Sequence, residues 1–382
     1  MCSSDLMRFH NLCDALIILD EIQAMPCVLW HPLDQMLQRL AERCNTRILA
    51  MSATQPGFLS SAKELVRGHE SIFSHFRRYR FVLRCKSKMT LDRFVEEVKD
   101  RKEIWGKRAM ITMNTRKSAR EVRNALSPDA SFPLYFLTAD VVPQERLEVI
   151  EKIKTGAPCV VVSTQCVEAG VDIDMDLIVR DFAPLDSLVQ IAGRCNRNGK
   201  KSRCDVEIVY LENSRGRAFS GMIYDRILLQ ETEKIVAPYD ELGEEEIYPI
   251  CKRYFRALFE KKNVGEEITR DLAYLKSHVD PHKHLRDNRK QLEFLVIEKD
   301  PELKTQLEKA ISVENRWERR REARKLSGKI SRYTVSVFAP EGFNPETVAD
   351  PMGNFWLLKP GYYKPYQGIE IDFGEETCTQ IF

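Results

Sequence analysis

The sequence predicts an α/β protein built on parallel sheets, continued by a mainly helical region and a small β-rich end. Short apolar runs, such as Leu-Ile-Ile-Leu at 16–19 and Cys-Val-Val-Val-Ser at 159–163, have the length of strands buried on both faces. Segments of about ten residues between the later runs have the apolar spacing of amphipathic helices. Strands that alternate with helices of this length indicate parallel, doubly wound sheets.

The elements follow in order along the chain. Two strands at 16–20 and 47–51 enclose a helix at 33–44, and 58–106 is expected to be a mixed helical and extended connection with a basic stretch at 77–88. A regular alternation follows, with strands at 109–113, 134–137, 159–163, 177–180 and 206–211 and helices at 118–126, 144–154 and 185–193. Beyond residue 213 the spacing is helical, and 333–338 is expected to be a strand.

Composition excludes some classes of protein. The formal charge of +2 neither supports nor excludes a nucleic-acid partner. No apolar run has the length of a membrane span, and the start of the chain is no secretory signal. The eleven cysteines form no Cys-x-x-Cys pair, which predicts reduced thiols and a cytoplasmic protein. A polar loop explains the grouped His278, His282 and His284 as well as a metal site does.

Polar motifs follow the first two strands. Asp20-Glu21-Ile22-Gln23 comes directly after the first strand: Asp20 is a candidate for holding Mg²⁺, Glu21 for polarising a nucleophilic water, and Gln23 for contacting a γ-phosphate or for a relay to a second lobe. Ser52-Ala53-Thr54 follows the second strand. Each motif is weak by itself, because adjacent acids at a strand end are usually solvated and small residues are common in turns.

Two motifs in the second half of the α/β region are more specific. The segment 163–174 contains Thr164, a candidate phosphate contact, Gly170, which permits close backbone approach, and Asp172, which would bind a ribose or pair with an arginine. Gln190-Ile-Ala-Gly-Arg-Cys-Asn-Arg197 places Arg194 and Arg197 three residues apart after a glycine, which predicts that both lie on one side of a helical turn and reach a γ-phosphate.

The order of these motifs resembles superfamily 2 helicases, and most closely the CRISPR-associated helicase-nuclease of type I systems. The segments that carry the closer resemblance are Leu-Asp-Glu-Ile-Gln at 19–23, Glu-Ala-Gly-Val-Asp-Ile-Asp at 168–174, Asp-Phe-Ala-Pro-Leu-Asp-Ser at 181–187 and Ala-Gly-Arg-Cys-Asn-Arg at 192–197. The resemblance is strong over about 8–212 and weaker in the tail, where Gly361-Tyr-Tyr363 and Gly368 resemble the accessory C-terminal domain of the family.

This resemblance implies a division of the chain and a set of functional residues. The expected regions are a remnant of a first RecA-like lobe at 1–57, a connection at 58–106, a complete second RecA-like lobe at 107–212, a helical extension at 213–330 and an accessory domain at 331–382. ATP and Mg²⁺ would lie between the lobes, with Glu21, Arg194 and Arg197 as catalytic residues and Asp20, Gln23, Gly170, Asp172 and Gln190 as nucleotide contacts. The implied contacts to single-stranded DNA are Thr54, Thr112, Asn114, Thr138 and Thr164.

Departures from the family pattern leave alternatives open. The sequence has no Gly-x-x-x-x-Gly-Lys-Ser/Thr phosphate loop and no evident His-Asp nuclease pair, and Ile191 stands where the family more often has arginine. We therefore expect the chain to be inactive alone and to work with a guide-RNA surveillance complex and a separate chain that carries the missing parts. The alternatives are a non-catalytic scaffold that binds DNA or the surveillance complex, and a fragment of a restriction-type or RNA helicase.

Overall fold

The computed structural model describes residues 9–371 apart from 53, 55, 56, 131, 275, 277–290, 298, 299 and 341. Within these residues there are four sheets, of two, seven, four and two strands. No helix in the described part of the chain has the length and apolar character needed to cross a bilayer. The expected α/β class with parallel sheets is confirmed, and most strand bounds agree with the predicted ones to within two residues.

The first lobe consists of a small parallel sheet and one helix. Strands β1 (Leu16–Leu19) and β2 (Arg47–Ala50) pair in parallel, and helix α1 (Trp30–Arg43) connects them. The prediction that β1 is buried on both faces is wrong, because Leu16 and Ile18 are 63% and 56% exposed. No described element covers that face of the sheet, so the side chains of Leu16 and Ile18 are exposed to solvent.

The connection between the lobes contains a long strand that the sequence analysis did not predict. Helix α2 (His69–Phe73), strand β3 (Tyr79–Thr90) and helices α3 (Leu91–Asp100) and α4 (Lys102–Trp105) follow in order. Strand β3 joins the sheet of the second lobe, so that lobe begins before residue 107. Its buried side chains alternate with half-exposed arginines that pair with acids, and this basic face concealed the strand pattern.

The second lobe is a seven-stranded sheet with the order β5-β6-β4-β7-β8-β3-β9, in which every neighbouring pair except β3–β9 is parallel. Its further strands are β4 (Arg108–Thr112), β5 (Leu134–Leu137), β6 (Cys159–Ser163), β7 (Leu177–Asp181), β8 (Cys204–Glu212) and β9 (Glu241–Gly243). Helices α5 (Arg116–Leu126), α6 (Pro143–Lys154) and α7 (Leu185–Ala192) connect them. Central strands such as β6 are buried along their whole length, as parallel strands covered on both faces should be.

Helices after the second lobe join it to the first. They are α8 (Ser220–Ile223), α9 (Arg226–Val236), α10 (Glu244–Lys261) and α11 (Glu266–Ala273). Trp30 of α1 is 1% exposed and contacts the rings of Phe58 and Phe255, the latter from α10. Trp30 and Ile22 belong to the same core cluster as Val189 of α7, so the first lobe packs against the second.

The accessory domain begins earlier than predicted. Strand β10 (Gln291–Leu295) lies in the expected helical extension but pairs with β11 (Thr334–Phe338), across helices α12 (Pro301–Ile311) and α13 (Arg316–Arg332). The sheet has the order β11-β10-β13-β12, with β12 (Ala349–Met352) and β13 (Phe355–Leu358). The hairpin β14 (Tyr363–Lys364) and β15 (Gly368–Ile369) then lies on α6 and the loop before it. The pairing of β10 with β11 spans the 38 residues 296–333 and therefore leaves no local sequence signal.

Candidate functional site

The acidic motif forms a tight turn at the carboxyl end of β1. Glu21 has φ 51° and ψ 44°, a left-handed conformation that costs a residue other than glycine about 1 kcal/mol or more. Its amide donates to Asp20 Oδ1 at 2.9 Å, and Gln23 Nε2 donates to Glu21 Oε2. The turn therefore leaves the Asp20 side chain exposed and ties the Glu21 carboxylate to a buried glutamine.

The second motif of the first lobe is joined to the first through Gln23. Ser52 Oγ donates to Gln23 Oε1 at 2.5 Å, and Thr54 N donates to Ser52 Oγ at 3.0 Å. The Ile22 amide also donates to the Met51 carbonyl at 3.3 Å. A shift of the acidic turn would therefore be transmitted to the segment at 51–54, the link between nucleotide cleft and nucleic-acid track that the resemblance implies.

The arginine motif is a turn after a helix, so the prediction of a helical turn is wrong. Helix α7 ends at Ala192, and Asn196 has a left-handed φ of 46°. The Asn196 side-chain amide caps this turn by donating to the carbonyls of Arg78, Lys201 and Ser202 at 3.1–3.2 Å. The reversal sends Arg194 and Arg197 to different parts of the 163–174 segment, where a helix would have stacked them on one face.

Arg194 is almost buried and is held by backbone carbonyls. Its Nη2 donates to the Glu168 carbonyl at 2.7 Å and its Nε to the Val167 carbonyl at 3.2 Å, with 8% of the residue exposed. Burial and the neighbouring charge of Arg197 lower the pKa of Arg194, whereas the carboxylates of Glu21 and Asp172 act in the opposite direction. The charge of the second-lobe arginine is therefore within electrostatic range of the candidate base of the first lobe.

The remaining candidate nucleotide contacts are Arg197, Asp172, Gly170 and Gln190. Arg197 Nε pairs with Asp172 Oδ1 at 3.1 Å, and both side chains are largely exposed. Of the two roles open for Asp172, the structure therefore shows the pairing with an arginine. Gly170 has φ 72°, a conformation that explains the glycine, and the half-exposed Gln190 side chain makes no hydrogen bond to another described residue. Both arginines, Asp172 and Gln190 remain nucleotide-site candidates on these grounds.

The proposed contacts to DNA are less well placed. All five side chains are at most 2% exposed: Thr54, Thr112, Asn114, Thr138 and Thr164. Thr112 Oγ1 shares a hydrogen bond with Ser163 Oγ at 3.0 Å, and the Asn114 amide donates to Asp181 Oδ2 at 2.6 Å. The structure argues against Thr112 and Asn114 as phosphate contacts, because their polar groups hold the strand ends of the second lobe together.

A buried ionic network at the same edge was missed by the sequence analysis. Arg180 in β7 has no exposed surface, and its Nη2 donates to Glu168 Oε1 at 3.0 Å and to Tyr224 OH at 2.9 Å. Burial raises the pKa of Glu168 to about 7 and that of Asp181 to about 7. The adjacent charges of Arg180 and Asp181 inside an otherwise apolar strand were the signal for this network.

The residues at the acidic motif fit a magnesium ion that is bound mainly by water and phosphate. Mg²⁺ keeps several waters and takes one or two protein carboxylates, so it does not need a cage of protein ligands. Asp20 is exposed and has one oxygen occupied by the Glu21 amide, which leaves the other available. Among the described residues, no group of three or more His, Cys, Asp or Glu side chains could hold a metal ion.

The parallel sheets, the acidic turn after β1 and the arginines after α7 agree with the resemblance to superfamily 2 helicases. Residues 105–200 match the family model described as CRISPR-associated nuclease/helicase Cas3, C-terminal. A Cas3 nuclease/helicase of Methanothermobacter thermautotrophicus is 27% identical over 247 residues, which is 59% of this chain and 29% of that protein. Another from Haloferax volcanii is 50% identical over 52 residues, or 14% of this chain and 6% of that protein.

Solved structures agree on the fold. The crystal structure of T. fusca Cas3 superposes with a TM-score of 0.65 at 16% identity, over 93% of this chain and 53% of that one. A chain of a CRISPR RNA-guided surveillance complex, pre-nicking, gives 0.59 at 17% identity, over 93% and 56%. The matched part of the chain is therefore similar to the C-terminal region of Cas3 nuclease/helicases in sequence and in fold. The chain spans less than a third of the curated relatives it matches and about half of these structures.

Proposed function

We propose that this chain forms the acid-base edge and the second lobe of an ATP-hydrolysing motor that moves along single-stranded DNA in CRISPR antiviral defence. The observation that carries the proposal is the position of Arg194, which is held by the 167–168 carbonyls and interacts electrostatically with Glu21 of the first lobe. Hydrolysis of a γ-phosphate requires a carboxylate that orients the attacking water and cationic groups that stabilise the charge of the transition state. The first lobe would supply the carboxylate and the second lobe the cations.

Each candidate residue has a defined part in this mechanism. Glu21, oriented by Gln23, accepts a proton from the attacking water, and Arg194 with Arg197 stabilises charge on the transferred phosphoryl group. Asp20 would hold Mg²⁺, which neutralises charge on the β- and γ-phosphates when bound. The hydrogen bond from Ser52 to Gln23 provides a route by which the state of the nucleotide reaches the 51–54 segment.

The proposal includes partners that supply what the sequence lacks. The Gly-x-x-x-x-Gly-Lys-Ser/Thr loop that cradles phosphates is absent from these 382 residues, so a preceding segment or a separate chain would provide it. Likeness to a chain of a guide-RNA surveillance complex supports such a complex as a further partner. Free cysteines such as the buried Cys159 and Cys251 are compatible with the cytoplasm.

The test is ATP turnover by the chain assembled with a segment that carries the phosphate loop. Single-stranded DNA should stimulate turnover, and Glu21→Gln should lower kcat by about 10²- to 10⁴-fold while ATP binding is largely retained. Glu42→Gln, which changes an exposed acid on α1, is the matched control and should leave kcat unchanged.

Turnover by Glu21→Gln within about tenfold of wild type would remove Glu21 from the role of base. Stimulation by RNA in place of DNA would favour an RNA helicase. DNA binding by the assembled protein without any dependence on nucleotide would favour a scaffold.

A further inference from the structure

Arg180 is a buried charge at the centre of the second lobe. It lies in β7, which pairs with β4 on one side and β8 on the other, and its side chain has no exposed surface. A buried arginine is strongly destabilising unless acceptors surround it. Here Nη1 donates to Asn114 Oδ1 at 2.6 Å, and Nη2 donates to Glu168 Oε1, Ser187 Oγ and Tyr224 OH at 2.9–3.2 Å.

These acceptors come from four separate parts of the chain. Asn114 follows β4, Glu168 lies in the segment after β6, Ser187 is in α7, and Tyr224 follows α8. Ser187 Oγ also donates to Glu168 Oε1 at 2.8 Å, so the glutamate carboxylate is fixed from two directions. One guanidinium therefore sets the relative positions of the motif segments at the carboxyl edge of the sheet.

The network continues from Glu168 to the arginine motif. The side chain of Glu168 binds Arg180, while its backbone carbonyl accepts from Arg194 Nη2 at 2.7 Å. The preceding carbonyl, of Val167, accepts from Arg194 Nε at 3.2 Å. Because both contacts of Arg194 are to the backbone at 167–168, the direction of its guanidinium depends on how that backbone is held.

We propose that Arg180 is a positioning residue that aims Arg194 at the nucleotide through Glu168. The proposal rests on the proposed function insofar as Arg194 acts on ATP. A purely structural ion pair is the competing explanation, and it predicts that loss of Arg180 lowers the stability of the lobe without a specific effect at Arg194. The two explanations differ in measurable ways.

The first experiment follows the Nε–H NMR signal of Arg194 in this chain. Three variants weaken the network to different degrees: Tyr224→Phe removes one acceptor, Arg180→Lys keeps the charge, and the double change Arg180→Met with Glu168→Gln removes both charges. The Arg194 signal should shift in all three, with hydrogen exchange faster by about tenfold or more. The graded set ensures that a variant that fails to fold does not prevent the test.

A matched control lies on another part of the same lobe. Arg101 forms a two-pronged ion pair with Glu207 of β8, at 2.6 and 2.7 Å, and neither side chain is hydrogen-bonded to the arginine motif. Arg101→Met should lower the melting temperature yet leave the Arg194 signal where it is in the wild type. An unshifted Arg194 signal in the Arg180 variants, or an equal shift in Arg101→Met, would overturn the positioning role.

The second experiment uses the assembled motor. Arg180→Lys should lower kcat for ATP by about 10- to 100-fold, the range for residues that orient a functional group, with KM changed by less than about threefold. Combined with Arg194→Ala it should add little further loss, because both changes remove the same interaction. Full additivity would contradict the proposal. Failure of Arg194→Ala alone to lower kcat would instead refute the proposed function, and the NMR result would stand.

Discussion

The hairpin near the end of the described chain rests on the second lobe through a glycine that no other residue can replace. Gly368 has φ 91°, and a Cβ added there would lie 2.6 Å from the Asp140 carbonyl oxygen and 2.7 Å from its carbon. Gly361 has the same φ of 91° but has no atom within 4 Å of its added Cβ. The pair of substitutions Gly368→Ala and Gly361→Ala therefore separates close contact from backbone strain.

The expected magnitudes follow from these geometries. An alanine at this φ costs about 1–2 kcal/mol in either position. In Gly368→Ala the clash is with backbone, which cannot rotate away, so β15 must lift. Ile369 is only 2% exposed in the folded protein, and exposing its side chain to solvent costs about 1.5–3 kcal/mol. The lift also breaks the hydrogen bond from the Ile369 amide to the Asp140 carbonyl at 3.1 Å, which contributes about 1 kcal/mol. Gly368→Ala should therefore weaken docking by about 3 kcal/mol more than Gly361→Ala.

Hydrogen exchange of the Ile369 amide measures this difference directly. A difference of about 3 kcal/mol corresponds to exchange faster by more than about a hundredfold in Gly368→Ala than in Gly361→Ala. Amides of β6 report on the lobe itself and should be unaffected in both variants. Equal acceleration in the two variants would show that the approach to Asp140 does not hold the hairpin in place.

Three further predictions concern other parts of the chain. Amides of β1 and β2 should exchange faster than those of β6, because β1 and β2 form a two-stranded sheet with exposed apolar side chains whereas β6 is fully buried. Equal protection of the two sheets would contradict this prediction. The folded pKa of Glu168, about 7, is above its ordinary value of 4.5, so its contribution to stability is present below pH 4.5 and lost as pH rises through 7. Urea unfolding should thus show wild type losing stability relative to Glu168→Gln between pH 5 and 8, and a constant difference would refute the shift. If α13 binds DNA phosphates, replacing three of its arginines by alanine should reduce the slope of log binding constant against log salt concentration by about three units. An unchanged slope would show that the helix faces solvent or a protein partner. These side chains form no ion pair with another described residue: Arg316, Arg320 and Arg324.

The fold could be predicted wherever a strand and its partner obey a local pattern. Runs such as 159–163 and the helices between them determine a parallel sheet, because few other arrangements bury them. Strand β3 was missed because its outward arginines, including Arg80 and Arg84, resemble a basic linker until their acidic partners are known. Strand β10 was missed because its partner lies beyond two helices.

The candidate site could be predicted in outline only. The order of polar motifs at strand ends, together with the resemblance to superfamily 2 helicases, predicts that Glu21 and Arg194 act on the same nucleotide. The burial of Thr112 and Asn114 depends on packing between distant segments, and a sequence motif carries no information about that. The left-handed turn at Asn196, which separates the two arginines, likewise depends on carbonyls contributed by Arg78 and the 201–202 backbone.

Strand β3 also determines which fragments of this protein can fold independently. It lies between β8 and β9 in the sheet, although it comes before all other strands of that sheet in the sequence. A fragment that starts at residue 107 would expose the whole edge of β8, a nine-residue strand, and such open edges promote aggregation. A self-sufficient second lobe must run from before Tyr79 to beyond Gly243. The connection therefore cannot act as a free tether, and any change in the angle between the lobes must be absorbed within residues 57–78.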